Sequence, residues 1–141
     1  MLTRILLAVQ DQETRSRIGE LLRDGSNGPL GAGSLDDVWE KLTRDDFDIL
    51  VVHRDLLPGS PREFLGSVQA LPEHPGVIVL VQDDNPKERA ELLTSGALAV
   101  LGLSLEDSVL GRALVSLAKR QGDEVLERLG AERAEKRSTS S

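Results

Sequence analysis

A chain of 141 residues suits one domain, and its 39% of apolar residues can fill one core, although aromatics at 2% leave Leu, Val, Ile and Ala to build it. The formal net charge of -7 repels phosphate backbones and anionic lipid, which sets aside nucleic-acid and membrane-surface binding. The absence of Cys rules out disulfides and thiolate metal sites, and no apolar run approaches the roughly 20 residues of a membrane span.

Short β-branched or Leu-rich runs alternate with amphipathic stretches, the rhythm of repeated strand-helix units around a parallel sheet. The first strand is predicted at residues 4–9, apolar without alternation because a central parallel strand is buried on both faces. Polar residues 10–17 follow too few apolar positions for a signal peptide, so a soluble cytoplasmic protein is expected. A helix over 12–23 follows, with Asp11 as N-cap, Ile18, Leu21 and Leu22 inward, and Gly25 ending it. The second strand, 29–32, is weak and belongs at an edge. Ser34, with Asp37 three residues on, opens a helix through Leu42 in which Val38, Trp39 and Leu42 share a face.

The strongest β signal is at 48–52, ending at His53. Ser60, Pro61 and Glu63 read as a capping box for the third helix, with Phe64, Val68 and Leu71 facing inward. Strand four is predicted at 77–81, and Asn85, Pro86 and Glu88 start a helix that runs to Ser95 and closes at Gly96. Strand five is predicted at 97–101. Ser104 with Asp107 starts the last helix, in which Leu110, Leu114 and Leu117 form a stripe. The folded domain is set at 1–121, and 122–141, where apolar density falls and Ser and Thr accumulate, at a helical extension or disordered linker.

In an open parallel sheet, chemistry is sought at the carboxyl ends of the strands. Here that rim carries Val9, Gln10 and Asp11; His53, Arg54 and Asp55; Val81 and Gln82; and Gly102, Leu103 and Ser104. Over residues 5 to about 120 the chain resembles the receiver domain of bacterial response regulators. The resemblance lies in Ile-Leu-Leu-Ala at 5–8 with Asp-Gln-Glu-Thr-Arg at 11–15, Phe-Asp-Ile-Leu-Val-Val at 47–52 with Leu-Leu-Pro-Gly at 56–59, and Val-Ile-Val-Leu at 77–80 with Asp-Asp-Asn-Pro-Lys-Glu-Arg at 83–89 and Ser-Gly-Ala at 95–97. It implies a flavodoxin-like doubly wound α/β fold, a five-stranded parallel sheet of order 2-1-3-4-5 with five helices.

The family's phosphoryl chemistry uses an acidic pair holding a divalent cation, an Asp nucleophile, a hydroxyl residue and a Lys. Carried over residue by residue, these roles fall on Val9 and Gln10, His53, Val81 and Leu103, and none is retained. A slip of one residue would bring Asp11 into the acidic pair, and a longer third loop would offer Asp55 as nucleophile. Asp11 reads instead as a helix cap, and Asp55 lies two positions past the strand. His53 reads as a neutral ring filling the vacated pocket and bonded to a loop carbonyl, Arg54 as the ion-pair partner of Asp55, and Asp83-Asp84 as a solvated approach to the fourth helix. His53 and His74 are too far apart in sequence for a metal motif, and no metal or cofactor is expected.

The expected function is therefore not enzymatic: a phosphorylation-independent pseudo-receiver that dimerises or docks a protein partner in a bacterial two-component or transcription system. By resemblance its face would be the fourth helix, fifth strand and fifth helix, with Lys87, Arg89, Glu91, Arg112, Lys119 and Arg120 supplying mixed charge. Two alternatives stand beside it: a small-molecule sensor using the vacated pocket, and a residual phosphoacceptor using Asp11 or Asp55.

Overall fold

The computed structural model describes residues 4–23, 28–57 and 59–120. Five parallel strands form one sheet in the order β2-β1-β3-β4-β5. In chain order the elements are β1 (Ile5–Ala8), α1 (Gln12–Leu21), β2 (Leu30–Ala32), α2 (Leu35–Arg44), β3 (Ile49–His53), a 3-10 turn (Arg54–Leu56), α3 (Pro61–Gln69), β4 (Gly76–Val81), α4 (Pro86–Ser95) and β5 (Ala99–Gly102). Residues 107–120 form α5. The expected α/β sheet order and five helices are those observed.

The sheet divides the core into two layers because successive side chains of a strand point to opposite faces. Leu50 and Val52 of β3 pack with α2, α3 and α4 through Val38, Phe64, Leu65, Val68 and Leu92. Ile49 and Val51 pack on the other face with Ile18 of α1 and Leu110 and Leu114 of α5. Central β3 pairs with β1, Leu6 opposite Leu50, and with β4, Val51 opposite Ile78. Leu50 is fully buried, so truncation to Ala would cost roughly 2–5 kcal/mol.

Local chemistry sets most element boundaries as expected. Asp11, Ser34 and Asn85 each accept a first-turn N–H of the helix that follows. Gly96 closes α4 at φ 122°, a left-handed conformation that favours glycine. Three readings need correction. The side chain of Ser60 makes no capping hydrogen bond, and the N–H of Glu63 goes to its backbone carbonyl instead, at 3.2 Å. The last helix opens not at Ser104 but at Glu106, whose carbonyl accepts from Val109 and Leu110; Asp107 is engaged elsewhere. Strand five starts at Ala99 rather than at 97, because Ala97 is buried and Leu98 bonds back to Val77 before pairing begins. The helix expected over 12–23 and ended by Gly25 closes earlier, at Leu21 with Leu22 as C-cap; Gly25 itself and the extension over 122–141 lie outside the described residues. Among the described residues, no helix is long and apolar enough to cross a membrane.

Candidate functional site

At the carboxyl-end rim, β1 and β3 end side by side. Val9 continues past β1 and is buried; its N–H donates to the Ala32 carbonyl at 3.1 Å, and its own carbonyl accepts from Nη1 of Arg15 at 2.9 Å. Gly33 gives the arginine room, since a Cβ there would lie 3.1 Å from Nη1. Gln10 is exposed. The Asp11 carboxylate accepts from the hydroxyl of Thr14 at 2.6 Å and from its N–H at 2.9 Å, and these bonds hold its pKa below the ordinary carboxylate value. Val81 and Leu103 are buried and joined by a backbone bond of 2.8 Å from the Leu103 N–H to the Val81 carbonyl.

His53 ends β3 with its side chain 13% exposed. Its Nδ1 accepts the N–H of Asp55 at 3.1 Å, so the imidazole shapes the 3-10 turn as an acceptor, not as the donor to a loop carbonyl that was expected. The Asp55 carboxylate is 82% exposed, 3.6 Å from that nitrogen. Arg54 does not pair with Asp55; its Nε stands 3.8 Å from Oε1 of Glu88 on α4.

No protein-family model matches the chain, and no curated protein matches it in sequence. Solved structures do match. A response regulator receiver domain protein of the CheY-like kind from Methanospirillum hungatei JF-1 aligns with TM-score 0.72 at 17% identity, covering 88% of this chain and 99% of that one. The receiver domain of Francisella response regulator 1452 gives 0.71 at 18%, covering 84% and 98%. The signal receiver domain of a two-component histidine kinase from Clostridium thermocellum gives 0.71 at 14%, covering 84% and 99%. The chain has the receiver fold.

The positions to which the sequence resemblance assigns phosphoryl chemistry are Val9, Gln10, His53, Val81 and Leu103. They do not fit a divalent cation. Mg²⁺ demands oxygen ligands in near-octahedral geometry, whereas Val9 is buried and apolar and the Asp11 carboxylate is turned to its own helix. Among the described residues no three His, Cys, Asp or Glu side chains converge as a metal site would require.

What holds the rim is an arginine that sequence reasoning missed. From α1, Arg17 donates Nη1 to the Leu103 carbonyl at 3.1 Å, Nη2 to the Leu105 carbonyl at 3.1 Å and Nε to the Asp107 carboxylate at 2.7 Å. This three-point clamp fastens the β5–α5 loop and the start of α5 to α1. The planar guanidinium, with its fork of fixed donors, suits the task where a lysine would not.

The expected interface residues separate. Arg89 is bound through two hydrogen bonds, at 3.0 and 2.8 Å, to Asp84, which raises the arginine pKa and lowers that of the aspartate; Asp84 is therefore paired and not merely a solvated approach. Glu91 lines a cleft between α3 and α4. Lys87, Arg112, Lys119 and Arg120 are exposed. Alongside them stand apolar side chains that charge patterning did not single out: Leu93 of α4 at 42% exposure, Leu98 after it at 42%, Leu105 before α5, and Val109 of α5 at 49%. Gly111 meets Leu21 of α1, which directs its flank of α5, with Val115 one turn on, toward α1 and leaves Val109 on the opposite flank.

Proposed function

We propose that this chain is a phosphorylation-independent pseudo-receiver, not an enzyme, that pairs with a second copy of itself through α4, β5 and α5 in bacterial signal transduction. One observation carries the reading. Of the six large apolar residues exposed among the described residues, five belong to this segment: Leu93 of α4, Leu98 and Leu105 on either side of β5, and Val109 and Val115 of α5. Exposed apolar clusters mark contact surfaces more often than they mark solvent-facing skin. Mixed charge around the patch, from Lys87, Arg112, Lys119 and Arg120 beside acidic neighbours, suits a self-complementary two-fold pairing. The Arg17 clamp supports a fixed output conformation, because a domain without a phosphoryl switch needs its face presented at all times.

Sedimentation at several concentrations tests the reading with wild type and Leu93→Glu. The expected result is a concentration-dependent dimer that the variant loses while keeping its thermal transition. A wild type that stays monomeric at high micromolar concentration, or a variant that still pairs, overturns self-association.

A further inference from the structure

Between the 3-10 turn with the start of α3 and the inner flank of α4 lies a cleft of about 480 Å³, lined in part by Arg54, Arg62, Glu88, Glu91 and Leu92. Its volume falls within the roughly 300–1,000 Å³ usual for small-molecule sites. Its lining includes none of Val9, Gln10, His53, Val81 and Leu103, nor Leu93, Leu98, Leu105 or Val109 of the proposed pairing face, with which it shares only α4. One wall brings two guanidinium groups, and α4 brings two carboxylates one turn apart. Nε of Arg54 stands 3.8 Å from Oε1 of Glu88, beyond hydrogen-bond reach, and no ion pair involving Arg62 or Glu91 is present among the described residues.

The two signs select the ligand. An inorganic anion drawn to Arg54 and Arg62 would lie against Glu88 and Glu91, and a simple cation would meet the arginines, so each gains at one wall and loses at the other. A molecule carrying both charges close together gains at both. The spacing of Arg54 and Glu88 suits an ammonium and a carboxylate borne on one carbon. Arg62 and Glu91 then face the remainder of the molecule, above the apolar floor at Leu92. We propose that this cleft binds a free α-amino acid, its carboxylate on Arg54 and its ammonium on Glu88. Because the walls belong to two different elements, the bound molecule ties the turn after β3 to α4. The inference does not depend on self-association, which sedimentation reads separately.

The test is titration of the full-length chain, labelled with ¹⁵N, with each standard amino acid singly up to about 10 mM, where binding weaker than millimolar is lost. At least one amino acid is expected to shift the amide signals of residues 54, 62, 88 and 91 saturably, while its N-acetyl methyl ester, which lacks both charges, leaves them in place. Arg54→Gln and Glu88→Gln, checked for an unchanged thermal transition, are each expected to weaken binding roughly tenfold or more, as loss of a charge partner does. Absence of any saturable shift overturns the proposal. So does equal binding by the uncharged ester or by both variants.

Discussion

The carboxyl-end rim and the flank of α4, β5 and α5 depart from the ordinary distribution of side chains in opposite directions. At the rim, where an α/β sheet usually gathers polar groups, Val9, Val81 and Leu103 are buried and His53 is spent on shaping a turn. On the flank, where a monomer would present charge, Leu93, Leu98 and Val109 meet solvent. The apolar rim positions are packed like core while Gln10 and Asp55 beside them stay exposed, and the flank leaves apolar side chains in solvent. On the proposed reading the two departures belong to one scaffold, without phosphoryl chemistry at the rim and with a contact surface on the flank, and the difference is open to mutation at both ends.

The largest effect is expected at the rim. His53→Asp puts a carboxylate beside buried apolar groups with no cation bonded to it, and we expect a loss of about 2 kcal/mol or more in chemical denaturation. Such a site favours the protonated acid, so the folded pKa is raised and the deficit should shrink at mildly acidic pH. A variant as stable as wild type at both pH values would mean that the rim is not packed as core. Next in size, Val109→Glu should weaken self-association roughly tenfold or more by sedimentation, as removal of a well-covered apolar contact does, while Arg112→Glu at the margin should do less. Equal effects would move the centre of the interface from apolar to charged residues.

Arg17→Gln removes the clamp between the two regions. We expect a loss of about 1 kcal/mol, given three hydrogen bonds by a partly exposed guanidinium, with faster amide exchange confined to the β5–α5 loop and the first turn of α5. Exchange unchanged in that loop would show that packing alone holds it. The smallest effect concerns acid. The Asp84 carboxylate, held below its ordinary value of 3.8 by its hydrogen bonds to Arg89, adds stability that is intact above that value and lost as pH falls through the lower folded one. Asp84→Asn should therefore lower stability slightly at neutral pH, where the contribution is present, and converge with wild type in strong acid, flattening the acid limb; an unaltered acid limb would place Arg89 outside the forces that hold α4.

The sheet was legible in the sequence because β1, β3 and β4 are buried on both faces and show as unbroken apolar runs, and because Asp11, Ser34 and Asn85 mark the helices after their strands. The rim positions were legible for the same reason: once strand ends are placed, the residues beyond them follow. The clamp was not. Arg17 acts on residues some 86 to 90 positions away, a contact that exists only once α1 and α5 lie together on one face of the sheet. The stripe of Leu110, Leu114 and Leu117 already set Val109 off the packed face, but the exposure of Leu93, Leu98 and Leu105 was not legible, since it depends on how α4 and the loops around β5 sit on the sheet. Arg54 was assigned to its neighbour Asp55 because adjacency in sequence suggested a pair, whereas the 3-10 turn carries it toward Glu88.

The most direct test of the central claim is sedimentation velocity over a range of concentrations, run with and without acetyl phosphate and Mg²⁺. The account predicts the same concentration-dependent dimer in both series, since among the described residues no acidic cluster is placed to hold the cation and the proposed flank presents Leu93 and Val109 without a switch. A chain that stays monomeric throughout, or one that dimerises only when the phosphate donor is present, would contradict it.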